Sequence, residues 1–176
     1  MDSSAGMSRR DALVAAIALV AGASLGAAAC SRPLEQGFFR GAEMQVLEEL
    51  CETILPQTDT PGARAAKVHD FIDGMMTTWA SVTTQAATRG VLKRVDEAGE
   101  GRFARLGEGE RTAIVQRLDA AAFAAKDKAW AAFKKLVLLG YYTSEIGATQ
   151  ELAYLPVPGD WKPDVTLTPD MRAWAE

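Results

Sequence analysis

The apolar side chains of this chain recur at the three- and four-residue spacing of an amphipathic helix, and this periodicity constrains the fold more than any other feature. The clearest stretch covers residues 126–142, where Trp130, Phe133 and Val137 form one stripe that neighbouring leucines widen. Such a segment is predicted to be a central helix buried on several sides. No run shows the strict alternation of a half-buried strand. The sequence therefore predicts an all-α fold.

The same spacing predicts four more helices before this one. The first covers residues 41–55 and ends at Pro56, and two others cover 81–98, interrupted by Gly90, and 108–125. The remaining helix carries five apolar residues on one face, namely Val68, Phe71, Ile72, Met75 and Trp79. We expect a compact bundle of about five helices, with residues 41–155 as the helical domain.

Residues 1–29 have the layout of a bacterial export signal. Arg9 and Arg10 precede a stretch, residues 12–29, that contains only Ala, Leu, Val, Ile, Gly and one Ser. A charged start, an apolar stretch and small residues at a cleavage site are the parts of a secretory signal. The paired arginines resemble a Tat signal, which directs already folded proteins through the Tat translocase to the periplasm. A membrane anchor is the alternative, because about 18 uncharged residues can just span a bilayer.

The two cysteines have different expected roles. Cys30 directly follows the small residues, so plain cleavage and lipidation at this residue both stay open. Lipidation would attach the chain to the inner membrane. Residues 30–40 are predicted to form a linker. Cys51 lies among apolar residues of the first helix and is predicted to be a small buried hydrophobe without a disulfide partner.

Charge and composition argue against two classes of function. Nineteen Lys and Arg against 23 Asp and Glu give a net charge of -4, which provides no electrostatic footprint for nucleic acid or an anionic membrane surface. One histidine and two cysteines are too few for most metal sites. His69 falls outside the apolar stripe of its helix and is predicted to be a solvated or capping residue.

The sequence contains no loop typical of a cofactor-binding enzyme. Gly99-Glu100-Gly101 and Gly107-Glu108-Gly109 each begin like a dinucleotide fingerprint, but each lacks its third glycine and neither follows a strand. There is also no phosphate loop and no nucleophile elbow. Glu108 and Glu110 are predicted to be first-turn acids that favour the helix dipole. We therefore expect no catalytic, cofactor or metal residues in this chain.

The C-terminal residues 156–176 differ in composition from the helical part. They hold four of the seven prolines and two of the four tryptophans, so they are predicted to be an extended arm. Such an arm either wraps its own domain or lies on another protein. In the second case Trp161 and Trp174 would be its anchors, because buried tryptophans dominate many interfaces.

A glycine-bounded segment, residues 140–147, follows the most apolar helix. Thr143 or Ser144 is predicted to cap a new helical turn, and the two glycines permit close approach of another backbone. One interpretation is a kinked corner with two tyrosines in the core. The other is a contact surface for a partner, with candidate residues Tyr141, Tyr142, Thr143, Ser144 and Glu145.

Two segments resemble the gluconate 2-dehydrogenase subunit 3 family. They are Gly140-Tyr141-Tyr142-Thr143-Ser144-Glu145-Ile146-Gly147 and Tyr154-Leu155-Pro156-Val157-Pro158-Gly159. Earlier landmarks agree in order: Ile54-Leu55-Pro56, then Thr58-Asp59-Thr60-Pro61-Gly62-Ala63, then Val68-His69 with Phe71-Ile72-Asp73. The resemblance covers roughly residues 44–174.

The resemblance implies a non-catalytic small subunit of a periplasmic dehydrogenase for sugars, sugar acids or alcohols. It implies a large partner subunit that holds FAD and the substrate, and often a cytochrome c subunit that passes the electrons on. The small subunit would carry the Tat signal for the large one and help it mature. The alternative is a stand-alone periplasmic lipoprotein, tethered at Cys30, that uses the Tyr141–Tyr142 corner as a binding pocket.

Overall fold

The computed structural model describes residues 37–154, residues 157, 159, 164, 166, 168 and 169, and residues 171–175. This part of the chain is mostly helical, which confirms the predicted fold class. Five α-helices follow one another in sequence: α1 Ala42–Ile54, α2 Val68–Thr78, α3 Val82–Ala98, α4 Glu108–Ala124 and α5 Lys128–Tyr142. None of the helices in these residues is both long and apolar enough to cross a membrane.

Two short helical turns and two short strands complete the described chain. A 3-10 turn, Phe103–Arg105, precedes α4, and a π-helical turn, Gly147–Glu151, follows α5. Two strands of two residues each, β1 Ala153–Tyr154 and β2 Trp174–Ala175, then pair in parallel. No strand was expected, since two residues are too few to show an alternating pattern.

Helix α1 lies at the centre of the core and contacts each of the other four helices. Leu47, Leu50 and Cys51 on its inner face are completely inaccessible to solvent. The prediction that Cys51 is a buried small hydrophobe is confirmed. Burial also raises the pKa of its thiol far above its usual range, and the nearby carboxylates of Glu52 and Glu48 add to this effect.

Helix α5 is less enclosed than its sequence predicted. Its stripe of Trp130, Phe133 and Val137 is buried as expected, but Leu138 and Leu139 face solvent. The expectation of a helix buried on several sides was therefore wrong, because α1 and the neighbouring helices cover only one face of α5.

Two details of α2 and α3 also differ from expectation. The buried residues of α2 are Val68, Ile72 and Met76, whereas Trp79 follows the last turn of the helix and is largely exposed. Placing Trp79 on the inner face was wrong because the helix ends before that residue. Helix α3 runs through Gly90 without a break, since this position is exposed and needs no side chain for packing.

The last residues of the predicted linker belong to the fold. Phe39 is buried in the core, and its backbone N–H donates to Asp73 Oδ1 at 2.8 Å. Arg89 donates to the carbonyl oxygen of Phe38 at 3.0 Å, and its guanidinium lies 3.9 Å from the centre of the Phe38 ring. The linker prediction was wrong for residues 37–40, whose aromatic pair anchors the chain before α1 begins.

Candidate functional site

Three of the five sequence landmarks described above meet at the end of α5, namely residues 58–63, 68–73 and 140–147, and we call this region the corner. It consists of the loop at residues 56–67, the start of α2, the end of α5 and the turn that follows it. The hydroxyl of Tyr141 donates to the carbonyl oxygen of Pro61 at 2.7 Å, across 80 residues of sequence. Tyr141 is only 4% exposed, so its ring belongs to the core and not to the surface of the corner.

The loop ahead of α2 is held by the carboxylate of Glu52 in α1. Glu52 accepts the backbone N–H of Gln57 at 3.1 Å and that of Arg64 at 2.7 Å. Gly62 passes so close that a Cβ there would lie 2.6 Å from both the Gln57 nitrogen and Glu52 Oε1. The glycine of the Thr-Pro-Gly sequence is therefore explained by this tight turn around one carboxylate.

A row of charged side chains fixes the loop further. Arg64 contacts Glu48 at 3.0 Å and Glu49 at 2.6 Å, and Arg111 of α4 contacts the other oxygen of Glu49 at 2.9 Å. Glu49 and Arg111 are mostly buried, so this ion pair is screened less by water than a surface pair. The network connects α1, the loop and α4.

Helix α5 approaches α2 closely at Gly140. A Cβ at this position would lie 2.6 Å from Cδ1 of Phe71 and 3.2 Å from Cγ1 of Val68. The sequence predicted close approach of another backbone, which is wrong at this glycine because its neighbours are two side chains.

Ser144 caps the turn after α5, as the sequence predicted. Its hydroxyl donates to the carbonyl oxygen of Tyr141 at 2.6 Å and accepts the N–H of Gly147 at 3.0 Å. A Cβ on Gly147 would lie 2.0 Å from the same carbonyl oxygen, so only glycine fits here without displacement of the backbone. Gly147 therefore meets a backbone, as expected.

The π-helical turn is tied to the loop and to the C-terminal end of the chain. Thr60 donates to Glu151 Oε2 at 2.6 Å. Arg172 donates to the carbonyl oxygens of Thr149 at 3.1 Å and Gln150 at 2.7 Å, which have no partners within a regular helix at this point. Ala153 N–H donates to the carbonyl oxygen of Ala173 at 2.8 Å, next to the strand pair.

The described end of the predicted arm thus contacts its own domain. Residues 171–175 reach the π-helical turn through Arg172 and the strand pair, but the side chain of Trp174 remains 58% exposed. These contacts agree with the alternative in which the arm wraps its own domain, and docking of the arm on a partner stays a prediction. Contact of Trp174 with a partner stays a prediction.

The candidate interface residues of the corner separate into two groups. Tyr141 and Ser144 are engaged inside the fold, so the interpretation of a kinked corner describes these two. Tyr142, Thr143 and Glu145 are exposed, and the Tyr142 ring makes an edge contact with Tyr141 at 5.3 Å between centroids. Arg9, Arg10, Cys30 and Trp161 lie outside the described residues.

The corner has few groups free for chemistry. Within the described residues no three His, Cys, Asp or Glu side chains are grouped so that they could hold a metal ion. His69 was predicted to be a solvated or capping residue, but it is not solvated. Its side chain is only 15% exposed, and Nε2 lies 3.5 Å from Asp70 Oδ1. Most polar atoms of the corner support its shape through internal hydrogen bonds, whereas His69 Nδ1 is buried without a partner among the described residues.

Several residues of the corner were missed by the sequence analysis. Glu52, Thr60, Glu151 and Arg172 hold its parts together, but each acts on a segment far along the chain or on backbone atoms. A carboxylate or arginine of this kind has no local pattern that would identify its partner.

The first-turn role predicted for Glu110 is supported, since it accepts the N–H of Gly107 at 3.0 Å.

Comparison with known proteins identifies one family. The family model described as gluconate 2-dehydrogenase subunit 3 matches residues 41–159, a range that includes all five helices and the corner. No curated protein and no solved structure matches the chain.

Proposed function

The chain belongs to the gluconate 2-dehydrogenase subunit 3 family, and from this membership we propose that it is a non-catalytic small subunit of a flavin-dependent sugar, sugar-acid or alcohol dehydrogenase. The observation that carries the proposal is the extent of the match, which covers the whole helical bundle. The name of the family is that of one subunit of a dehydrogenase, so a partner subunit is part of the proposal.

In this proposal the large subunit is a flavoprotein that holds FAD and oxidises the substrate. A cytochrome c subunit of the same complex would receive the electrons. The small subunit stabilises the large one during maturation, and the twin arginines Arg9 and Arg10 export both through the Tat translocase to the periplasm.

The corner is our candidate for the contact with the large subunit. Its shape is fixed by internal hydrogen bonds, so Tyr142, Thr143 and Glu145 are presented without a large ordering cost on binding. Trp174 and Trp161 are further candidates for this contact. The four prolines among residues 156–176 limit the freedom of the unbound arm and would lower the cost of docking.

Co-purification tests the assignment. The full chain, tagged at its C-terminus, is expressed together with a candidate flavoprotein large subunit. We expect the two to purify in equal amounts with one FAD, and Tyr142→Ala combined with Glu145→Lys to weaken the complex. Both residues are exposed, so unchanged melting of the variant is the control. Flavin bound to the small chain alone would contradict the assignment.

Export is tested separately. We expect the double variant Arg9→Lys, Arg10→Lys to leave both subunits in the cytoplasm, since the paired arginines are the part of the signal that the Tat translocase reads. Cell fractionation followed by dehydrogenase activity measures the distribution. Active enzyme in the periplasm of the double variant would contradict shared export. A lipoprotein tethered at Cys30 without any large subunit would show no co-purification in the preceding test.

A further inference from the structure

One end of the bundle exposes large apolar side chains, and we call it the hairpin end. It contains the connections α2–α3 and α4–α5. Phe123 is 88% exposed, Val82 81% and Trp79 79%, which makes them three of the four most exposed large hydrophobic residues in the described part of the chain. Lys128 lines grooves beside both connections, so the two turns are neighbours in space.

Open grooves lie between these exposed side chains. A groove of about 430 Å³ between α2, α3 and α5 is lined mainly by apolar atoms, among them those of Met75, Trp79 and Leu136. A second groove of about 440 Å³ between α4 and α5 is lined by Phe123 and Ala131, with lysines at its edge. The hairpin end therefore exposes apolar atoms in two neighbouring grooves, both of which Lys128 lines.

The charge of this end is opposite to that of the whole chain. Asp127 is paired with Arg94, and Asp119 with Lys134. Lys126 and Lys128 make no ion pair with any residue in the described ranges. The net charge of -4 argued against an anionic membrane surface as a binding partner. Salt screens exposed charges beyond about 8–10 Å, so this argument does not hold for a local surface that carries these two lysines.

The turn that presents Phe123 is well defined. Asp127 caps α5 by accepting the N–H groups of Ala129 at 2.8 Å and Trp130 at 3.1 Å. Its own N–H donates to the carbonyl oxygen of Ala122 at 2.9 Å. Phe123 therefore stands on a closed helix end and not on a frayed one.

We propose that the hairpin end docks on the surface of a bilayer that contains anionic phospholipid. Phe123, Trp79 and Val82 enter the interfacial layer, and Lys126 and Lys128 face the lipid phosphates. Aromatic side chains beside lysines are typical of proteins that lie on a membrane without crossing it. The exposed side chains lie on two separate turns. A fluid headgroup layer adapts to both turns, whereas a protein surface would need a shape that matches them.

Site-specific fluorescence distinguishes this contact from binding through the N-terminal segment. The full chain with Cys30→Ser receives an environment-sensitive NBD label at Phe123→Cys, and a second preparation carries the label at Glu108→Cys. Glu108 is exposed at the other end of α4, about 22 Å away along the axis. Phosphatidylcholine vesicles with and without phosphatidylglycerol are added to each.

We expect the label at residue 123 to brighten and shift to shorter wavelength only with anionic vesicles, and the label at residue 108 to stay unchanged. Lys126→Gln with Lys128→Gln is expected to weaken the response by roughly thirty-fold, equivalent to about 2 kcal/mol. The same change at Arg102 and Arg105, beside α4's other end, is the matched control and leaves the response intact. No response at residue 123, or equal responses at both labels, overturns the proposal.

Discussion

Gly147 offers the sharpest test of the corner, because a single methyl group there collides with backbone. A Cβ at this position would lie 2.0 Å from the carbonyl oxygen of Tyr141, 2.8 Å from its carbon and 2.9 Å from the Cα of Tyr142. These atoms belong to the last turn of α5 and cannot rotate away as a flexible side chain can. Gly147→Ala therefore requires either the π-helical turn or the helix end to move.

The expected cost follows from this displacement. Substitutions that force backbone to shift around an extra methyl group cost about 1–3 kcal/mol. A chain of this size loses about 2–4 °C of melting temperature for each kcal/mol. We therefore expect Gly147→Ala to melt roughly 2–12 °C below the unsubstituted protein, measured by circular dichroism on the full chain.

Gly90 provides a matched control with the opposite sign. It lies on the exposed face of α3, and no atom comes within 4 Å of a Cβ built there. Alanine is the better helix former by about 1 kcal/mol, so Gly90→Ala is expected to melt about 2–4 °C higher. If Gly147→Ala melts at or above the unsubstituted protein, the packing of the π-helical turn against α5 is not as described.

Three further outcomes are expected. Tyr141→Phe removes the hydrogen bond to Pro61 and should lower the free energy of unfolding in urea by about 1 kcal/mol, whereas the exposed Tyr142→Phe should not; equal effects would contradict the structure. The pKa of Asp119 is lowered from 3.8, first by the hydrogen bond from Lys134 and then by that from Trp130. Its stabilisation is complete above that value and is lost as the pH falls through the lower folded pKa, so Asp119→Asn should flatten the acid side of melting temperature against pH. Cys51, with Cys30→Ser, should react with maleimide only after unfolding, and rapid native reaction would refute its burial.

The helices were predictable because each buries a stripe with helical spacing. In α1 the stripe includes Leu47, Leu50 and Cys51, and all three are buried. The prediction failed at Trp79, where the apolar spacing continues past the end of α2. The spacing of apolar residues does not by itself show where a helix ends; a proline or a glycine is needed to mark that position.

The corner was only partly predictable. The local sequence at Ser144 and Gly147 predicted a capped turn, and the structure contains that turn. The bonds from Tyr141 to Pro61 and from Thr60 to Glu151 join residues 80 and 91 positions apart. Such pairs depend on how α5 packs beside the loop, which no local pattern contains. Three of the family landmarks lie close together in space for this reason, although the sequence shows them only as separate segments.

The anchored aromatic pair before α1 determines how a mechanical load would enter the molecule. Any pull on residues 1–36, during transport or from an attached lipid, reaches the fold at Gly37–Phe39. Three contacts resist the pull there: the burial of the Phe39 ring, the hydrogen bond from the Phe39 N–H to Asp73, and the hydrogen bond from Arg89 to the carbonyl oxygen of Phe38. We therefore expect these contacts to carry tension before the first turn of α1 does.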